Sequence, residues 1–158
     1  MTYIIAEIGV NHDGSFKRAK KLIDLAKKAG ANAAKFQIFV TEEIIHAETR
    51  QADYQAANIG KQQTMAEMVK PLELSFNEFR ELKKHCDKIG IDFMASVFDM
   101  ASLNFYVDAL GCKNVKFGSG ELCNPPLLVA AARKGADVIS VSDVESVRKC
   151  AGRIVGPN

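Results

Sequence analysis

The chain has 158 residues, 47% of them hydrophobic, enough to bury a sizeable core within one domain. A formal net charge of +2 is too small to imply nucleic acid or an anionic membrane as partner. Four cysteines with no C-x-x-C spacing indicate neither a zinc site nor a disulfide framework, and they fit reduced thiols in a cytoplasmic protein. The opening stretch Met1 to Glu7 has no basic segment and reaches a carboxylate too early for a signal peptide, and no apolar run approaches the ~20 residues of a membrane span. P-loop, H-E-x-x-H and G-x-G-x-x-G motifs are absent.

Short apolar runs alternate with amphipathic helices that close on glycine. Tyr3 to Ile8 reads as a strand; Phe16, Ala19, Leu22, Ile23 and Ala26 then recur at helical spacing, with Gly30 as the stop. Ala33 to Ile38 is the second strand. Ser75 with Glu78 forms a capping box, Leu74 and Phe79 the matching hydrophobic staple, and the helix runs to Gly90. Ile91 to Ser96 is a strand. Asp99 caps a helix through Leu103, Tyr106, Val107 and Leu110, ended by Gly111. Asn114 to Phe117 is the fourth strand, and Asn124 with Pro125 at the first helical position opens a helix reaching Lys134 and Gly135. A fifth strand is expected at Asp137 to Val141.

This repeated strand–helix order is that of parallel β/α units. The first turn, Gly9 to Gly14, lacks the glycine fingerprint of a dinucleotide-binding sheet, and polar residues at strand ends suit a barrel mouth. The expectation is a TIM-type (β/α) barrel of which the first four to five units are present, roughly half of the ~250 residues of a full barrel. Residues 1–135 form that amino-terminal half, and residues 136–158 a divergent, truncated tail. Between Ile38 and Ser75 lies an excursion of over thirty residues, in which Gln62 to Lys70 predicts a short helix. Connections of that length are uncommon unless functional, so a lid or subunit contact stands beside a plain surface loop.

Two lysines interrupt buried strands: Lys35 in Ala33-Ala34-Lys35-Phe36-Gln37, and Lys116 in Val115-Lys116-Phe117-Gly118-Ser119-Gly120-Glu121. A charge in such a strand is costly unless it is paired or binds something, and strand ends are where parallel-sheet enzymes place their chemistry. One such lysine can simply snorkel to water; two make an anion site the better reading. His12, His46 and His85 fall in three separate elements and read as structural or solvent-facing.

With these residues in view the chain resembles the sialic acid synthase family. The resemblance rests on Ile5 to Gly14, Lys35-Phe36-Gln37, Phe98-Asp99, Lys116 to Glu121 and Asn124-Pro125-Pro126-Leu127, and spans about residues 3–135. Gln51 to Gln55 and Glu67 to Ser75 look most like the legionaminate branch. The family condenses phosphoenolpyruvate with an N-acetylated mannose-type sugar. The resemblance implies that Lys35 and Lys116 bind phosphoenolpyruvate, with Ser96 and Ser119 as hydroxyl donors. It further implies that Glu7 and Gln37 contact the sugar, and that Glu121 is the catalytic carboxylate beside the reacting centre. A divalent metal, Mn or Mg, is implied too, held in the family by two histidines of the other barrel half, so its ligands are not expected in this chain.

After Gly135 the residues depart from the family's serine-bearing strand end; Ser140 or Ser142 can imitate that serine, one residue out of register. The expected partners are phosphoenolpyruvate, an N-acetylated sugar, and a second copy or a complementary half. The fragment alone is expected to be inactive. Alternatives are a Schiff-base aldolase using Lys116 or Lys35, and a non-catalytic remnant that associates with another chain.

Overall fold

The computed structural model describes residues 2–45 and 64–140. Five strands form one sheet: β1 (Ile5–Gly9), β2 (Ala33–Ile38), β3 (Asp92–Val97), β4 (Asn114–Phe117) and β5 (Asp137–Ser140). Every neighbouring pair is parallel and the spatial order is the sequence order, β1-β2-β3-β4-β5. A doubly wound sheet would reverse its strand order at a switch point. This sheet never reverses, so the architecture is α/β of the TIM-barrel type, limited to its first five strands.

Residue parity divides the sheet into two faces. Ala34, Phe36 and Ile38 join Phe93, Ala95, Val97, Val115 and Phe117 in the hydrophobic core beneath the helices. The intervening residues, Lys35, Gln37, Met94, Ser96 and Lys116, therefore share the opposite, concave face.

Helix α1 (Phe16–Lys28) starts where the Ser15 hydroxyl accepts the Arg18 N–H, and Ala19, Ile23 and Ala26 form its buried stripe. Before the long helix come two short ones, α2 (Thr41–Ile44) and α3 (Met65–Val69), and then a 3-10 turn over Lys70–Leu72 containing Pro71. Only α3 was expected from the sequence. Its Thr64–Glu67 capping box begins it three residues later than the periodicity suggests. Glu73 ties the two ends of the excursion together. Its carboxylate accepts from the Thr41 N–H (2.9 Å) and hydroxyl (2.6 Å) and from Lys70 Nζ (3.1 Å). Burial alone would raise the Glu73 pKa; these donors outweigh it and hold the group below the ordinary carboxylate value.

Helix α4 (Phe76–Ile89) has the expected capping box. The Ser75 hydroxyl accepts the Glu78 N–H, and the Glu78 carboxylate accepts the Ser75 N–H at 2.8 Å. Leu74 is buried, as a staple requires, and Gly90 closes the helix at φ 69°.

Two expectations need correction. The helix begun by Asp99 does not stay regular: α5 (Met100–Asn104) widens into a π turn over Phe105–Ala109, with the Leu110 N–H donating to the Phe105 carbonyl. A regular helix turns neighbouring side chains about 100° apart; the wider turn lets both Phe105 and Tyr106 be buried, and the Tyr106 hydroxyl donates to the Asn114 carbonyl at 3.0 Å. Asn124 precedes α6 (Pro125–Arg133) but makes no side-chain cap; its amide turns to the Glu121 carboxylate at 3.1 Å. Pro125 lacks an N–H, so less is left to cap.

Candidate active site

The concave face gathers the strand residues singled out in the sequence. Glu7 pairs in register with Lys35, Lys35 with Met94, Gln37 with Ser96, and Ser96 with Lys116. These side chains form a diagonal band across four strands. Lys35 forms an ion pair with Glu7, and its side chain is 12% exposed against 53% for the glutamate. Gly9 sits beside them at φ 54°, where a side chain would be strained. A Cβ there would come within 3.3 Å of the Glu7 carboxylate and 3.6 Å of the Gln37 amide, so Glu7 and Gln37 flank one point on the face. Ser96 is buried and Lys116 half-buried, and Lys116 makes no ion pair among the described residues.

By sheet geometry, two strand spacings and a two-residue offset put the Lys35 and Lys116 Cα atoms about 12 Å apart. Two lysine side chains reaching inward from that separation can hold opposite ends of one small anion. Both lie in mid-strand rather than at the rim. The rim is formed by Gln37 and by the loops that follow the strands. Ser119 is exposed at the start of a 3-10 turn (Ser119–Cys123) after β4, and Glu121 lies on the same turn. Nothing crowds Gly120, which leaves open space beside it.

A cavity of about 570 Å³ opens at this end of the sheet. Gln37, Glu121 and Asn124 form its polar side, and Val10, Phe39 and Phe98, each just past a strand end, join residues of α2, α3 and the Pro71 turn on its apolar side. The described part of the long excursion thus packs at the carboxyl ends of the strands. Lys35, Glu7, Ser96 and Lys116 do not line this cavity; Gln37 belongs to both places.

Sequence reasoning missed the contributions of Phe39 and Phe98. Their position one residue beyond β2 and β3 was the available signal. It also left His12 open. The ring is fully buried, lies 6.1 Å from the Phe36 ring, and accepts the Gly14 N–H at Nδ1 (3.2 Å). Nε2 then carries the proton and has no partner among the described residues. Burial lowers the His12 pKa, against the opposing pull of Asp13 and Glu78. His12 is therefore a structural residue of the β1–α1 loop. His85 pairs with Asp24 across α4 and α1 at 2.6 Å, and His46 lies outside the described residues, as do Gln51 to Gln55 and Ser142. No group of three His, Cys, Asp or Glu residues among the described ones has the geometry of a metal site. No described helix is long and apolar enough to cross a membrane.

The NeuB family model matches residues 22–150. The chain belongs to the NeuB family. Among relatives, it is 39% identical over 149 residues to the N,N'-diacetyllegionaminic acid synthase of Legionella pneumophila, covering 92% of this chain and 42% of that protein. It is 36% identical over 146 residues to the human N-acetylneuraminate-9-phosphate synthase, covering 92% and 40%. A crystal structure of an N-acetylneuraminic acid synthetase from Leptospira borgpetersenii in complex with citrate superposes with a TM-score of 0.76 at 33% identity, covering 97% of this chain and 50% of that one. This NeuB-family chain spans less than half the length of the curated relatives it matches. The family match runs past Gly135 through β5 and on to residue 150.

Proposed function

We propose that this chain provides the phosphoenolpyruvate-binding half of a nonulosonic acid synthase, which joins phosphoenolpyruvate to an N-acetylated mannose-type sugar. The observation that carries the reading is the shared concave face, with two inward lysines flanking Ser96 and a carboxylate and amide, Glu7 and Gln37, alongside. Phosphoenolpyruvate brings a phosphate and a carboxylate on three carbons, and two separated ammonium groups with a hydroxyl between them match that charge pattern. The names of the relatives, acid synthases for legionaminic and neuraminic products, support the same chemistry.

In the proposed reaction Lys35 and Lys116 hold the phosphate and carboxylate, with Ser96 and Ser119 donating hydroxyl hydrogen bonds. The enol carbon attacks the aldehyde carbon of the open-chain sugar, forming the new C–C bond, and the aldehyde oxygen takes a proton. The neighbouring carbon becomes an oxocarbenium centre, to which water adds with loss of a proton. Its C–O bond to phosphate then breaks, giving the keto acid and inorganic phosphate. Glu121, held by the Asn124 amide, is the proposed proton carrier. Glu7 and Gln37 orient the sugar hydroxyls.

The divalent metal that the resemblance implies finds no fitting donor set among the described residues, since His12 is sealed in its loop and His85 is engaged with Asp24 on the helix layer. No step is routed through it here. The 158 residues alone are accordingly proposed not to complete the condensation, and the unpaired edges of β1 and β5 among the described strands are proposed to need a second copy or a complementary half.

The aldolase alternative is weaker. A Schiff-base lysine works from a desolvated, apolar setting, whereas Lys35 is ion-paired and Lys116 neighbours Ser96 in register. Borohydride trapping with a keto-acid substrate separates the two, because the synthase forms no imine. The activity test is sugar-dependent phosphate release from phosphoenolpyruvate with Mn²⁺ and N-acetylated hexosamines, on this chain alone and on a full-length relative carrying its residues 1–140. The proposal expects release only from the latter; release by neither overturns it.

A further inference from the structure

The cavity at the strand ends has two unlike walls. Phe39, Ile44, Met65, Val69, Leu72 and Phe98 build one, and Gln37, Asn124 and the carboxylates Glu43 and Glu121 provide its polar lining. No lysine or arginine lines it. An apolar wall of this extent is more than hydroxyl recognition requires, because sugar hydroxyls need polar partners and are penalised against aliphatic and aromatic carbon. The wall is also not an accident of one loop: it is assembled from two strand ends, α2, α3 and the Pro71 turn, and Glu73 fastens α2 to that turn.

We infer that this wall is a specificity subsite that takes an uncharged apolar substituent of the acceptor sugar, an acyl chain or a deoxygenated carbon, and that it rejects acceptors bearing a phosphate ester. The inference rests on the synthase reading and deepens it. Gln37 couples the two places. It faces Glu7 across Gly9 on the concave face and also lines the cavity, so a sugar held by Gln37 near the anion site directs one substituent into the apolar wall. A phosphorylated substituent would meet two carboxylates and no cation there, an unfavourable pairing in a partly desolvated space.

The test is binding by the 158-residue chain labelled with ¹³C at its methionine methyls, of which Met65 reports the cavity and Met100, exposed on the outer surface, serves as control. Phosphoenolpyruvate is titrated first. With it saturating, mannosamine and its N-acetyl, N-propanoyl and N-butanoyl derivatives follow, and then N-acetylmannosamine 6-phosphate. The expected result is a shift of the Met65 methyl and not of Met100. Affinity should gain up to about fourfold per added CH₂, and the phosphate ester should bind at least about tenfold more weakly than N-acetylmannosamine. Val69→Asn and, separately, Leu72→Asn remove the dependence on acyl length while leaving phosphoenolpyruvate affinity unchanged, which also shows that the variants are folded. Phosphoenolpyruvate binding with affinities indifferent to acyl length, or tighter binding of the phosphate ester, overturns the subsite and leaves the synthase reading standing. Failure of phosphoenolpyruvate to bind at all overturns the synthase reading, and the subsite with it.

Discussion

Gly14 makes a demanding packing contact of the β1–α1 loop, and replacing it with alanine separates two costs. Its φ of 65° is a left-handed conformation that costs an L-residue about 1–2 kcal/mol. Its Cβ would also be driven into the carbonyl oxygen of Pro71 and to 3.2 Å from the carbonyl carbon, both backbone atoms of the turn that closes the excursion. Gly30 supplies the control: at φ 84°, with nothing within 4 Å of a Cβ, Gly30→Ala incurs only the conformational cost. Gly14→Ala should therefore destabilise by about 3 kcal/mol or more, a size reached only through a named steric mechanism, while Gly30→Ala stays near 1–2 kcal/mol. Urea unfolding followed by far-UV circular dichroism reads both differences. The Gly14 variant should also lose affinity for acceptor sugars, since Val10 on the same loop lines the cavity. Equal losses in the two variants would refute the argument that loop and turn are locked together.

Burial holds His12 neutral by lowering its pKa from 6.5, so the unfolded chain binds the proton that the folded chain refuses. Stability contributed this way is fully present above about pH 6.5 and is lost as pH falls below it toward the folded-state value. His12→Asn, which keeps an acceptor for the Gly14 N–H without titrating, should flatten the slope between pH 6.5 and 5 in urea melts; an unchanged slope would assign it to other groups. Ser75→Ala removes the acceptor of the Glu78 N–H and should cost about 1 kcal/mol in the same assay. Glu73→Gln weakens the fastening of Thr41 and Lys70; limited proteolysis should cut faster near α2 and α3, and equal cutting rates would deny Glu73 that role.

The β/α order was legible because periodicity and caps agreed at each step. Ala33 to Ile38 and Asn114 to Phe117 coincide with β2 and β4, and the Ser75–Glu78 box opens α4 where it was read. The π turn was not legible, since its cause is tertiary: Phe105 stacks on Phe76 at 4.3 Å under the Arg80 guanidinium, while Tyr106 reaches the β4 backbone. Likewise, Asn124 looked like a cap in the sequence because its competing partner, Glu121, is chosen by the preceding 3-10 turn. For the site, alternation placed Lys35, Gln37, Ser96 and Lys116 on one face. The Glu7–Lys35 ion pair depends on strand register, and the apolar cavity wall depends on how a long excursion folds back. Neither can be read from spacing alone.

The central claim is that Lys35 and Lys116 together hold one phosphoenolpyruvate. Calorimetric titration of the purified chain with phosphoenolpyruvate, for the wild type, Lys35→Met, Lys116→Met and the exposed control Lys28→Met, tests it most directly. Each inward lysine makes a charge-assisted contact of about 1.5–3 kcal/mol, so each single variant should weaken binding about tenfold or more. The double variant should abolish binding, and the control should match the wild type. Binding that survives in both single variants, or that the Lys28 substitution weakens as much, would contradict the shared site.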